Sequence, residues 1–524
     1  MNASVAIEAE TPTRGPALTA RTSILIGLVL LSAGAVRFII VGCRALGSPL
    51  ERDYGEGIVW QQMRLMFEGK GYGPIDGFPT IVFHYPPLYH ATVEALARCG
   101  LEALFAGRLV SFVATLASAL LIGLISTRIA PMPRKRAIAV IGAAFAVLSI
   151  LDQAIVQKWS LAMRVDMLAV AISLLGLWFG ILAIKRPAWI AAAAVCFVGA
   201  VFTKQTSIAA PIAVFATFLL VHPKAAWRGI AICVALGSAV LLALVVATDG
   251  GILRHLILYN INRFDWHGLS LIPTLLIVDI LFFGAAAVGL VQVLRDRLPA
   301  YRRLSRTEQR RKLAGTPDDA ALLMALLYLV AKTLMAVLIA KSGADANYFI
   351  EWMFACAIFI APAVRDLMAL ATGEADSNPS VLTLAVPVAL GALAMSIAYS
   401  SSPGNPPANY LRELNRLSAM VRSSPRPVIS EDMVVLLRNG KEVVWEPAIF
   451  AELASTGNWD ERPFVARVRN GAFGLFITEG DHGGEKYEIR YTPAVADAMD
   501  AAYPTRCQLA GYVIHLPPRE RCPR

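Results

Sequence analysis

Apolar residues come in long unbroken runs along this chain, and most polar residues fall in the gaps. Eleven runs stand out, at roughly 22–42, 104–127, 137–152, 164–184, 188–203, 206–221, 229–247, 273–294, 321–340, 347–364 and 381–399. A helix rises about 1.5 Å per residue, so about 20 apolar residues cross the hydrocarbon layer. The pattern predicts about 11 membrane-spanning helices. Residues 401–524 read differently. Short apolar stretches (PVIS, GLFITE, GYVIHLP) alternate there with helical patterns (EDMVVLLRNG, PAIFAELAS, TPAVADAMDAAY). That alternation predicts a small α/β domain. The expected organisation is a membrane module over 1–400 and a soluble domain over 401–524, linked by SSPGNPP.

Residues 43–103 interrupt the apolar runs. The stretch GEGIVWQQMRLMFEGKG is apolar at helical spacing through Ile58, Val59, Met63, Met66 and Phe67. In YPPLYHATVEALARCG two prolines open a second amphipathic helix. Both helices are expected to lie along the membrane surface or pack on the bundle.

Composition agrees with a membrane protein. The chain has 524 residues, 56% of them hydrophobic and 16% charged. Soluble domains carry about 25% charged residues. The polar start, MNASVAIEAETPTRGPALTARTS, has no early apolar segment and no small-residue cleavage site, so no cleaved signal peptide is expected. The net charge of +10 fits the cytoplasmic loop bias of membrane proteins. With the N-terminus inside, Arg128, Arg134–Arg136, Lys185, Arg186, Lys224, Arg228 and the run RDRLPAYRRLSRTEQRRK all fall in cytoplasmic segments. The first loop and the C-terminal domain then lie outside, in the periplasm of a bacterial inner-membrane protein. No basic face on a soluble domain points to nucleic acid. The seven cysteines form no CxxC pair, which leaves a cysteine zinc site without support. Cys507 and Cys522 could pair in an oxidising compartment.

Charge at a membrane boundary is costly and marks function by default. Here such residues gather on one face. Glu51, Asp53 and Glu56 follow the first run, and Tyr54 sits among them. His84, Tyr85 and His90 lie in FHYPPLYH, Arg164 and Asp166 in LAMRVDML, and Lys204 in FTKQTS. Arg254, His255, Asn260, Arg263, Asp265 and His267 precede the eighth run, and Lys341, Asp345, Asn347 and Glu351 flank the tenth. Each has a bland reading when taken alone. A loop acid is ordinarily solvated, Arg164 and Asp166 or Lys204 can snorkel, and the histidines can pack in an aromatic belt. Their shared face instead suggests a polar cavity at the outer boundary.

Such a cavity, open to lipid, suits a lipid-linked sugar. A carboxylate takes the proton from an acceptor hydroxyl, the hydroxyl attacks the anomeric carbon, and polyprenyl phosphate leaves. Arg or Lys stabilises the departing phosphate, aided at Arg164 by a helix N-terminus. A divalent cation (Mg, Mn or Zn) on Asp53 or His84 could share that task.

The chain resembles the GT-C glycosyltransferases, in particular the bacterial branch related to protein O-mannosyltransferases and to the lipid A aminoarabinose transferase. The resemblance rests on DYGEG, YPPLY, GRLVS, RVDMLA, FTKQT and GADANYFIE, in that order over most of the first 360 residues. It implies that Asp53 is the catalytic base, with Glu51 or Glu56 as a nearby second acid. It implies surface helices over 55–69 and 86–100, and lipid-phosphate contacts at Arg164 and Lys204. Some members use a divalent metal. Arg263 joins the phosphate-binding candidates, and Tyr54, His84, Tyr85, Asp166, Asn347 and Glu351 the substrate-binding ones. The acceptor would be a glycan, lipid or protein. The alternative is a multi-span transporter of an envelope lipid or small polar solute. Transporters tend to show internal repeats and midplane charge. This sequence shows no repeat. A non-catalytic scaffold is the third reading.

Overall fold

A computed structural model describes residues 14–129, 136–372, 381–400 and 408–522. Part of the first basic loop, the SSPGNPP linker and the first residues of the polar start lie outside the described residues. Among the described residues, seven helices are long and apolar enough to cross a membrane, or nine if each of two bent pairs counts as one span. Two shorter apolar helices, Trp189–Thr203 and Ala209–Val221, occupy the remaining expected runs. Each of the eleven runs therefore forms helix.

Burial sorts these helices. The window within Ala346–Ala371 is 83% buried, whereas that within Pro223–Ala247 is 0% buried. The first is the bundle centre. The second exposes Trp227, Val234, Leu242 and Val246, an apolar face fit for lipid. One bend matters for function. The helices Ala139–Leu151 and Ala154–Ser160 meet at 70°. The bend falls at Asp152 and Gln153 and sets the direction of the short helix that carries Lys158.

The first loop forms the two expected helices, Glu56–Phe67 and Leu88–Arg98. The first is mostly buried, because its residues Gly57 to Met63 lie under the C-terminal domain. That domain carries a four-stranded sheet in the order β1-β2-β4-β3, with strands Ile429–Ser430, Phe476–Thr478, Thr505–Leu509 and Tyr512–Leu516 numbered along the chain. β1 pairs parallel to β2, while β2 and β3 flank β4 antiparallel. β3 was not among the expected strands. Its sequence, TRCQL, is largely polar, and its hairpin turn uses Ala510 and Gly511 at positive φ instead of Asn-Gly. Cys507 and Cys522 form a disulfide.

Candidate active site

The stretch 51–57 turns the chain from the first helix into the helix Glu56–Phe67. Glu56 locks this turn. Arg108 donates from Nε and Nη2 to its two carboxylate oxygens at 2.8 and 2.7 Å. The backbone N–H groups of Met163 and Arg52 donate to the same oxygens at 2.8 and 2.7 Å. Arg108 spends its other N–H groups on the carbonyls of Ser48 and Leu50, at 2.7 and 2.6 Å. Both side chains are fully buried. A buried ion pair holds only when its remaining hydrogen-bonding groups are satisfied, as they are here. Glu56 has no free face to offer a substrate, so this geometry gives it a structural task.

Asp53 differs. Lys158 Nζ lies 3.3 Å from its Oδ1, and Arg164 Nη1 lies 3.5 Å from its Oδ2. These contacts exceed the about 2.7–2.9 Å of a tight charge-assisted bond. The carboxylate is held in place but not saturated. Gly55 makes this approach possible. A Cβ at Gly55 would lie 2.0 Å from Arg164 Nη1, and its φ of 137° suits only glycine.

Behind Asp53 the charges alternate. Lys204 Nζ lies 2.6 Å from Asp166 Oδ1, and Asn347 Nδ2 donates to the same oxygen at 2.9 Å. Arg164 Nε lies 4.0 Å from Asp166 Oδ2. Burial alone would lower both Arg164 and Lys204, yet the neighbouring acids raise them overall. Both therefore stay charged, with Tyr85 near each. Lys204 also lies over the Tyr348 ring at 4.9 Å. Burial, followed by the charges of Lys341, His255 and Arg164, pushes His84 down to about 3, so its imidazole is neutral. Burial holds Lys341 down to about 8.

The inner part of this network borders a narrow cleft. Asp166, Lys204, Asn347 and Tyr348 line it, and Lys332 and Glu351 lie at its apolar end beside Val170 and Leu338. Lys332 Nζ donates to Glu351 Oε2 at 2.8 Å, while Ser173 and Tyr328 donate to Oε1 at 3.0 and 3.1 Å.

The structure thus gathers Asp53, Tyr85, Arg164, Asp166, Lys204 and Asn347, with His84 and Glu351 at the margins. It sends two candidates elsewhere. Tyr54 donates its hydroxyl to Glu446 of the C-terminal domain, and Arg490 lies 4.1 Å over its ring. Arg263 pairs with Glu452 of that domain at 3.1 Å and is largely exposed. Asp53 and His84 belong to no group of three or more metal-ligating side chains among the described residues.

Sequence reasoning missed Lys158, Arg108 and Lys332. Lys332 and Arg108 carried a usable signal, since each is a lone charge inside an apolar run. Lys158 gave none, because its role depends on the helix bend.

No protein-family model matches this sequence, and no curated protein matches it. Solved structures do match. ArnT from Cupriavidus metallidurans bound to undecaprenyl phosphate aligns over 92% of this chain and 97% of its own, with a TM-score of 0.53 at 13% identity. The oligosaccharyltransferase AglB from Archaeoglobus fulgidus, in complex with an inhibitory peptide and a dolichol-phosphate, aligns over 91% of this chain and 72% of its own. Its TM-score is 0.52 at 12% identity. Likeness at this identity speaks to architecture. The chain is an integral membrane protein with the GT-C fold.

Proposed function

We propose that this protein is a membrane glycosyltransferase that moves a sugar from a polyprenyl-phosphate donor to an acceptor hydroxyl. The observation that carries the reading is Asp53, a carboxylate held by two cations yet unsaturated, and joined through Arg164 and Asp166 to the Lys204 that lines the cleft. The fold shared with ArnT and AglB supports the same class. Asp53 takes the hydroxyl proton as the acceptor oxygen attacks the anomeric carbon. The bond from that carbon to the phosphate oxygen breaks, and the sugar inverts. Arg164 and Lys204 receive the charge that develops on the leaving phosphate. Asp166 and Asn347 position Lys204, while Tyr85 and His84 bound the sugar space. Glu56 positions the loop and does not touch substrate.

The donor tail lies in the bilayer against the apolar end of the cleft. The first loop and residues 408–522 face the periplasm of a bacterial inner membrane, and the N-terminus faces the cytoplasm. The donor sugar is a hexose or pentose, and the acceptor a glycan, lipid or protein. The membrane module and the C-terminal domain, packed against each other through the first loop, share the work.

The test is sugar transfer in membranes from a panel of labelled polyprenyl-phosphate sugars to envelope acceptors. Wild type should transfer one of them and Asp53→Asn should not, at equal abundance. Equal transfer by both would remove Asp53 from its role. Saturable uptake of a solute into proteoliposomes, without transfer, would favour a transporter instead.

A further inference from the structure

The geometry points to a second site, in the C-terminal domain and separate from the cation-lined cleft. We propose that Asp481, Asp500 and His515 bind a divalent transition-metal ion of the zinc or manganese type. Each of the three offers one ligand atom, and these atoms lie within 4.8 Å of one another. Three separate chain segments supply them: the loop after β2, the helix Pro493–Ala502 and strand β4.

The imidazole gives the independent observation. His515 is fully buried, and its Nδ1 has no hydrogen-bond partner. Its other nitrogen, Nε2, lies 3.0 Å from Thr478 Oγ1. Thr478 has one hydroxyl proton, and the Gly480 carbonyl accepts it at 2.7 Å. With that proton on the shortest of its contacts, Thr478 Oγ1 accepts from His515 Nε2–H. That fixes the tautomer and leaves a bare lone pair on Nδ1. A buried acceptor with no donor is costly, of the kind a bound ion resolves. A hydrogen bond on the far nitrogen is also what orients a metal-ligating histidine.

A cation already occupies the other side of this cluster. Arg506 faces His515 directly across the β3–β4 pair. Its guanidinium lies 2.9 Å from Asp481 and 2.7 Å from Asp500. The Arg506 side chain is 41% exposed, so it can swing into solvent when a doubly charged ion replaces it. Metal–nitrogen and metal–oxygen bonds of about 2.0–2.2 Å require the three ligands to draw in by on the order of 1 Å. Both aspartates are half-buried side chains with room to do so. One imidazole with two carboxylates suits zinc or manganese, whereas calcium asks for more oxygen ligands. A water would complete the shell.

The test uses the full-length protein in detergent, purified on a tag without histidine, stripped with chelator and titrated with zinc or manganese chloride. Metal retained through gel filtration is then measured. Wild type should keep one ion. Asp500→Asn should weaken binding by at least about 100-fold, and His515→Gln likewise. Arg506→Gln should bind about tenfold tighter, because it removes the competing cation. A cluster that is only a salt-bridge network would respond otherwise. Equal retention by wild type and Asp500→Asn overturns the site, as does no retention by both wild type and Arg506→Gln. Asp500 is replaced by its near-isostere, so this arm stands even if the buried His515 variant fails to fold. Gel-filtration volume reports folding in each case.

Discussion

The loop 51–57 has two sides, and they are built to opposite standards. Toward the C-terminal domain it is sealed. Tyr54 bonds Glu446 beneath Arg490, and Glu51 accepts the N–H of Met433 at 2.7 Å. Gly57 packs so close that a Cβ there would lie 2.4 Å from Met433. Toward the membrane module it is locked at Glu56 by Arg108 but loosely held at Asp53. Asp53 meets Lys158 and Arg164 only at 3.3 and 3.5 Å. A saturated carboxylate holds a structure, and an unsaturated one can accept a proton. The saturated contacts fix where Asp53 points.

The sharpest way to break this contrast is to neutralise one acid from each category. Asp53→Asn should lower the transfer rate by about 10²–10⁴ while melting like wild type. Glu56→Gln should instead cost about 3–5 kcal/mol of stability, because Arg108 is left buried with half its partner. Transfer assays beside detergent melting curves separate the two, and exchanged outcomes would exchange the roles. A smaller effect is expected from Tyr54→Phe. It strips the hydroxyl from buried Glu446 and should cost about 1–3 kcal/mol in the same melting assay.

A pH test sharpens the sealed side further. Burial, then the charge of Asp432, raises Glu51 well above the ordinary carboxyl range, and Glu446, Glu431 and Asp432 are raised as well, burial first. The folded protein thus keeps protons that the unfolded chain releases. Their stabilisation is complete below the ordinary carboxyl range and is lost as pH rises through the folded values. Melting temperature should fall with rising pH over that window, by at most about 1.4 kcal/mol per pH unit for each proton. Glu51→Gln, permanently neutral, should flatten the slope. An unchanged slope would mean that Glu51 is ionised in the folded state. The smallest effect is expected at Arg263, whose pair with Glu452 is largely exposed. Arg263→Ala should change stability by less than about 1 kcal/mol and leave transfer intact. A tenfold loss of transfer would return Arg263 to the donor phosphate.

Legibility followed the range of each interaction. The apolar runs announced their helices because a span needs only its own length and composition. Asp53, Arg164, Asp166 and Lys204 were visible because each is a charge at the end of an apolar run. Glu56 looked the same as Asp53 in sequence, three residues away, and only Arg108 tells them apart. Tyr54 looked like a substrate contact until Glu446, 392 residues later, claimed its hydroxyl. Strand β3 stayed hidden because its alternation is polar and its partner supplies the burial.

The sequence by itself determined that this chain is threaded through a membrane, where its spans run, and that its charges favour one boundary. These follow from the cost of placing polar groups in hydrocarbon, a local property of each segment. Only the tertiary structure decided which acids are free. Whether a carboxylate is saturated depends on donors brought from distant parts of the chain, and no local pattern encodes that encounter.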